Sequence, residues 1–169
     1  MGIRFAEGLQ VVNLKTPAVV ADGNSAHVKV ENMQWLSFLI QTGTITDSTD
    51  TINFKIYSTT NVAGSTNAND TALPFWYRVS TLATDNWGDI TYVSTGSDGV
   101  TVTGSDDQLL ILDLDPSVIP SKDDGATHVY VDYDATITAT DTGAITSIIG
   151  VFEPRYPQVE QKSSTSAAT

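Results

Sequence analysis

Apolar and polar residues alternate with a period of two through much of this chain. In Ile52-Asn53-Phe54-Lys55-Ile56-Tyr57, residues Ile52, Phe54 and Ile56 fall on one side and Asn53 and Lys55 on the other. That is the pattern of a strand with one face buried and one wet. Ala26, Val28 and Val30 alternate in the same way with His27, Lys29 and Glu31. Trp35 to Gln41 is almost continuously apolar and stops at Thr42-Gly43, which predicts a central strand covered on both faces. Further strands are predicted over Pro74 to Ser80, Asp89 to Ser94, Val100 to Thr103, Gln108 to Leu114, Thr127 to Asp134 and Ala144 to Phe152. A weaker one over Leu9 to Leu14 brings the total to about eight to ten.

Between these runs lie Asp47-Ser48-Thr49-Asp50, Ala63 to Asp70, Gly96-Ser97-Asp98-Gly99, Gly104-Ser105-Asp106-Asp107 and Asp123-Asp124-Gly125. Asn and Asp bond to nearby backbone and glycine accepts positive φ, so these are turns. Short strands separated by regular polar turns predict an all-β fold, a jelly-roll or Greek-key β-sandwich. The best helical turn is Asp115 to Ile119, with Asp115 as N-cap and Pro116 at the first helical position. The chain divides into an N-terminal arm with the first weak strand (1–16), a sandwich domain (17–153) and a C-terminal arm (154–169). The last seven residues, Ser163 to Thr169, are low-complexity and carry no apolar anchor, so on their own they are expected to move.

At 169 residues the chain suits one domain with a real core. A formal charge of -12, from 8 Lys+Arg against 20 Asp+Glu, opposes nucleic-acid and anionic-membrane binding. Spread along the chain, this charge serves solubility or, alternatively, complementarity to a basic partner surface. With no cysteine there is no disulfide framework, thiolate zinc site or cysteine nucleophile. Met1 to Glu7 has no apolar run of secretory type, and no stretch approaches the ~20 apolar residues of a membrane-spanning helix. Synthesis in a cytoplasm is expected.

Residues able to run chemistry are sparse. Phe75-Trp76-Tyr77-Arg78 concentrates aromatic area beside a guanidinium. Alternation sends Phe75 and Tyr77 to one face and Trp76 and Arg78 to the other, so Trp76 and Arg78 are either interface anchors or an Arg stem laid over an indole. Asp113, Asp115, Asp123 and Asp124, or Asp47 with Asp50, supply oxygen ligands but not the EF-hand pattern, and turn formation is the default. His27 and His128 sit among polar neighbours in alternating strands and are expected to be exposed; zinc would need ligands the sequence does not group. His128, Tyr130, Asp132 and Asp134 form a polar strand face, either wet or facing a sugar or another subunit. There is no Gly-x-Ser-x-Gly elbow, no phosphate-cradling glycine loop and no carboxylate pair singled out for glycoside hydrolysis. No enzymatic role, cofactor or metal is expected.

Four stretches then appear in order: Ser37 to Gly43, Phe54 to Gly64, Leu73 to Arg78, and, after the acidic turn Leu112-Asp113-Leu114-Asp115, the closing Ile148-Ile149-Gly150-Val151-Phe152-Glu153-Pro154-Arg155-Tyr156-Pro157. This order, over most of residues 34–157, resembles small structural proteins encoded among the head genes of tailed bacteriophages and prophages. The resemblance implies a capsid decoration (cement) protein on the virion exterior, whose partner is the major capsid protein and which forms a homo-oligomer, a trimer or dimer. It further implies that the two arms act as clamps, with Phe5, Leu9, Tyr156 and Val159 as apolar anchors and Arg155 reaching toward a neighbour. Alternatives are a neck or tail component, or a carbohydrate-binding module stacking sugars on Trp35, Trp76, Trp87 or Tyr130. A glycosidase ranks behind both.

Overall fold

The computed structural model describes residues 8–19, 21–31, 33–60, 70–81, 86–103, 107–120, 127–138 and 144–155. Among these described residues twelve strands are formed: β1 (Gln10–Val19), β2 (Gly23–Asn24), β3 (Val28–Lys29), β4 (Met33–Thr42), β5 (Thr51–Thr59), β6 (Thr71–Ala72), β7 (Phe75–Thr81), β8 (Thr91–Val93), β9 (Val100–Thr103), β10 (Gln108–Leu114), β11 (His128–Thr136) and β12 (Ile145–Pro154). They make two six-stranded antiparallel sheets packed face to face, a β-sandwich. The first sheet runs β1-β12-β4-β10-β7-β8. In the second, β2 and β3 lie along β11, β11 pairs with β5, and β6 and β9 lie along β5.

The pairing is nested: β1 with β12, β2 and β3 with β11, β4 with β10, and β5 with β9. A chain folded into one long antiparallel hairpin and then rolled so that successive pairs alternate between sheets produces this order, which is the jelly roll. Strands β6, β7 and β8 fall at the hairpin's tip, between β5 and β9. β7 docks on β10 and, with β8, widens the first sheet by two strands.

The core lies between the sheets. Leu36, Phe38 and Ile40 of β4, Leu110, Leu112 and Leu114 of β10, and Ile148 and Phe152 of β12 face Ile52, Phe54 and Ile56 of β5 and Val129 and Val131 of β11, all fully buried. Burying such side chains is worth about 1.5–3 kcal/mol each, which is what selects this register over a one-residue slip. Asp115 caps the short 3₁₀ turn Pro116–Val118 by accepting from the Ser117 amide at 2.8 Å, as its sequence predicts.

Three expectations are corrected. The segment Trp35 to Gln41 is central in its sheet, between β12 and β10, but only its even positions meet the core; Trp35 and Gln41 are exposed and Ser37 and Leu39 half-buried. The weak strand near Leu9 to Leu14 is a ten-residue edge strand reaching Val19, so it runs past the arm boundary drawn at 16. His27 and His128 are buried, at 1% and 5% exposure: His27 stacks on Tyr130 (ring centroids 4.6 Å apart) over the outer side of the second sheet, and His128 lies within that sheet between Lys29 of β3 and Thr59 of β5.

Candidate functional site

Alternation sends every second side chain of the first sheet away from the core, and the cross-strand registers arrange these residues in rows. One row reads Val11, Val151, Ser37, Asp113, Trp76, Tyr92 from β1 across to β8. The next reads Asn13, Ile149, Leu39, Ile111, Arg78. A third reads Ser147, Gln41, Leu109, Ser80, and Trp35 stands opposite Glu153 at the other end. Val11, Ile149, Leu109, Trp35, Trp76 and Tyr92 are exposed, with Tyr92 at 46% and Trp76 at 43%. With ~4.8 Å between neighbouring strands and ~6.8 Å between rows, the five strand gaps and three row gaps span roughly 500 Å². Asn13, Ser37, Gln41, Arg78 and Asp113 interrupt it, so its contiguous apolar area is smaller than the face, but six exposed large apolar side chains on one sheet surface make it the candidate interaction surface.

The outer side of the second sheet differs in composition. Asn53, Lys55 and Tyr57 of β5 stand opposite Asp134, Asp132 and Tyr130 of β11. Tyr130 is sandwiched between His27 and Tyr57 (centroids 4.6 and 5.7 Å), and its hydroxyl donates to the Asp70 carboxylate at 2.9 Å. Burial, reinforced by Asp70, pushes the Tyr130 phenol well above its ordinary range, so it stays protonated. Burial, helped by His27 and Lys29, lowers the His128 imidazole, whose Nδ1 meets the Thr127 hydroxyl at 2.8 Å. Burial also raises the Asp132 carboxyl, against the pull of Lys55. Among the described residues no three His, Asp or Glu side chains are grouped to hold a metal ion.

The insertion at the hairpin tip supplies the aromatic end of the apolar face. Phe75 is buried and Trp76 exposed, as alternation predicts. Trp76 packs on Tyr92 with centroids 4.5 Å apart and planes inclined by 36°. Arg78 does lie over an indole, but that of Trp87, 5.7 Å from the ring centroid, with Nε donating to the Gly88 carbonyl at 3.1 Å. Leu9 is half-buried just before β1, and Arg155 is exposed just after β12. Phe5, Tyr156 and Val159 lie outside the described residues, as do Asp123 and Asp124.

The acidic turn residues have local work. Asp47 accepts from the Thr49 amide and hydroxyl, and the buried Asp50 accepts from those of Thr138. Asp113 is different: it sits on the apolar face and accepts from the Ser37 hydroxyl and, at 3.4 Å, from the Trp35 indole Nε1.

Sequence reasoning singled out Trp76 and Arg78, and Asp113 only as a turn or oxygen-ligand residue, but missed Val11, Leu39, Leu109, Ile111, Ile149 and Val151. Their signal is the run of consecutive apolar residues in β4, β10 and β12, which fits either a strand covered on both sides or one with an apolar outer face. Of the aromatics considered for sugar stacking, Tyr130 is buried and Trp87 half-buried, whereas Trp35 and Trp76 are exposed, Trp76 with its ring inclined by 36° against Tyr92. No family model matches the chain, and no curated protein matches it either.

Proposed function

We propose that this protein is a non-enzymatic structural subunit of a phage virion, a decoration protein that binds the exterior of the assembled capsid and stabilises it. The observation that carries its binding role is the apolar outer face of the first sheet, set against a polar outer face on the second. A sheet surface of this kind gains free energy when another protein covers it, at about 25 cal/mol per Å² of apolar area removed from water. What supports a virion role is the resemblance, in the order of strand and turn patterns over most of residues 34–157, to phage head proteins. The partner on this reading is the major capsid protein, and the protein acts as a homo-oligomer.

A shell repeats one surface many times, so a small acidic domain that bridges adjacent shell subunits stabilises the lattice by mass action and multivalency. The stretches before β1 and after β12 add clamps in this scheme, with Leu9 and Arg155 flanking those two strands. The test is to mix the purified protein with expanded capsids lacking it. Saturable co-sedimentation with increased heat resistance of the capsid is expected, and absence of binding would overturn the proposal.

A further inference from the structure

Asp113 breaks the apolar character of the first sheet's outer face near its middle. Its carboxylate accepts from the Ser37 hydroxyl and the Trp35 indole. Trp76 stands directly opposite it on the neighbouring strand, and Trp35 lies on its diagonal on the other side. The carboxylate is therefore flanked by two indole-bearing positions. Arg78, the nearest cation of the face, is turned to the sheet's margin by Trp87 and Gly88. Among the described residues Asp113 has no ion-pair partner; the pairs formed there are Lys29 with Glu31 and Lys55 with Asp134.

When a partner covers this face, Asp113 loses its water. A carboxylate desolvated without a counter-charge would oppose docking, so the covering surface must bring one. We infer that the shell protein docked on the first sheet places a cationic side chain, arginine in preference to lysine, on Asp113 between Trp35 and Trp76. A guanidinium can bond the carboxylate while its planar faces lie on indole rings, which an ammonium does less well. The net charge of -12 favours the same partner chemistry, since an acidic subunit is steered toward a basic surface. This rests on the docking role proposed above for the face.

Two measurements test it separately from that role. The three tryptophans give three indole N–H resonances, and N-acetyl-arginine amide serves as the probe. Saturable shifts at Trp35 and Trp76 are expected with this probe and not with N-acetyl-norleucine amide, and they should vanish in Asp113→Asn, whose amide oxygen can still accept from Ser37 and Trp35. Equal shifts in the variant, or none in the parent, would overturn the inference even if capsids bind. On expanded capsids, D113N is expected to bind about tenfold more weakly or worse, with a shallower salt dependence. Unchanged affinity and salt slope would overturn the cation site while leaving the decoration role standing. Self-association abolished by both D113N and Arg78→Gln would assign the face to a second copy of this chain and overturn the shell assignment.

Discussion

Ile148 and Ile149 are neighbours in β12, identical in chemistry and opposite in orientation: Ile148 is fully buried in the core, while Ile149 is 39% exposed on the outer face. Ile148→Ala removes three carbons from a packed site and is expected to cost about 2–5 kcal/mol of stability, transfer and cavity terms together. Ile149→Ser leaves the core intact, and its cost is expected to stay near 1 kcal/mol, mostly the lower strand preference of serine. For partner binding the order reverses. The exposed part of Ile149, on the order of 70 Å², corresponds at ~25 cal/mol per Å² to ~1.7 kcal/mol, or roughly a fifteen- to twentyfold loss of affinity. Urea unfolding of both variants, followed by titration onto expanded capsids at a temperature where both are folded, separates the two effects. If I149S unfolds as readily as I148A, the outer face is not a free surface; if it binds as well as the parent, that face is not the docking surface.

Two further predictions concern the second sheet. Because burial holds His128 below its ordinary 6.5, the folded state binds fewer protons there than the unfolded chain. Its stabilising share is thus complete above pH 6.5 and is lost as pH falls through the window beneath that value. His128→Gln should flatten the drop in Tm between pH 7 and pH 5, measured by thermal melts at closely spaced pH; a drop as steep as the parent's would contradict this. Asp132, raised above 3.8, acts in the opposite sense at lower pH, favouring the fold as acid protonates it. Gly99 has φ +66°, and an added Cβ would lie 2.7 Å from the Phe54 carbonyl oxygen. Gly99→Ala is therefore expected to cost about 1–2 kcal/mol or more in urea unfolding, and a neutral result would mean the turn into β9 relaxes freely.

Strand positions were legible wherever one side of the strand is polar. Ile52, Phe54 and Ile56 are core residues as their spacing predicts, and Gln108 to Leu114 is a strand over the predicted span. The apolar outer face was not legible, because in a run such as Trp35 to Gln41 apolar residues stand on both sides of the strand, and those on the outer face look like those facing the core. Nor does local sequence show that Asp113 lies between Trp76 and Ser37, which are brought there by strands more than thirty residues away in either case. The histidines were misplaced for a related reason. Polar neighbours in sequence suggested water, yet His27 is covered by stacking on Tyr130, whose register was fixed by β11 pairing with β5. Pairing across the rolled hairpin, not local pattern, decides both.

The most direct test of the docking account is a cryo-EM reconstruction of expanded capsids saturated with this protein. The account predicts that the rows through Val151, Leu39, Ile111 and Trp76 lie against the shell, with basic density from the capsid protein at Asp113. A subunit seated instead on its second sheet, through the β11 face that carries Asp132 and Asp134, would contradict it.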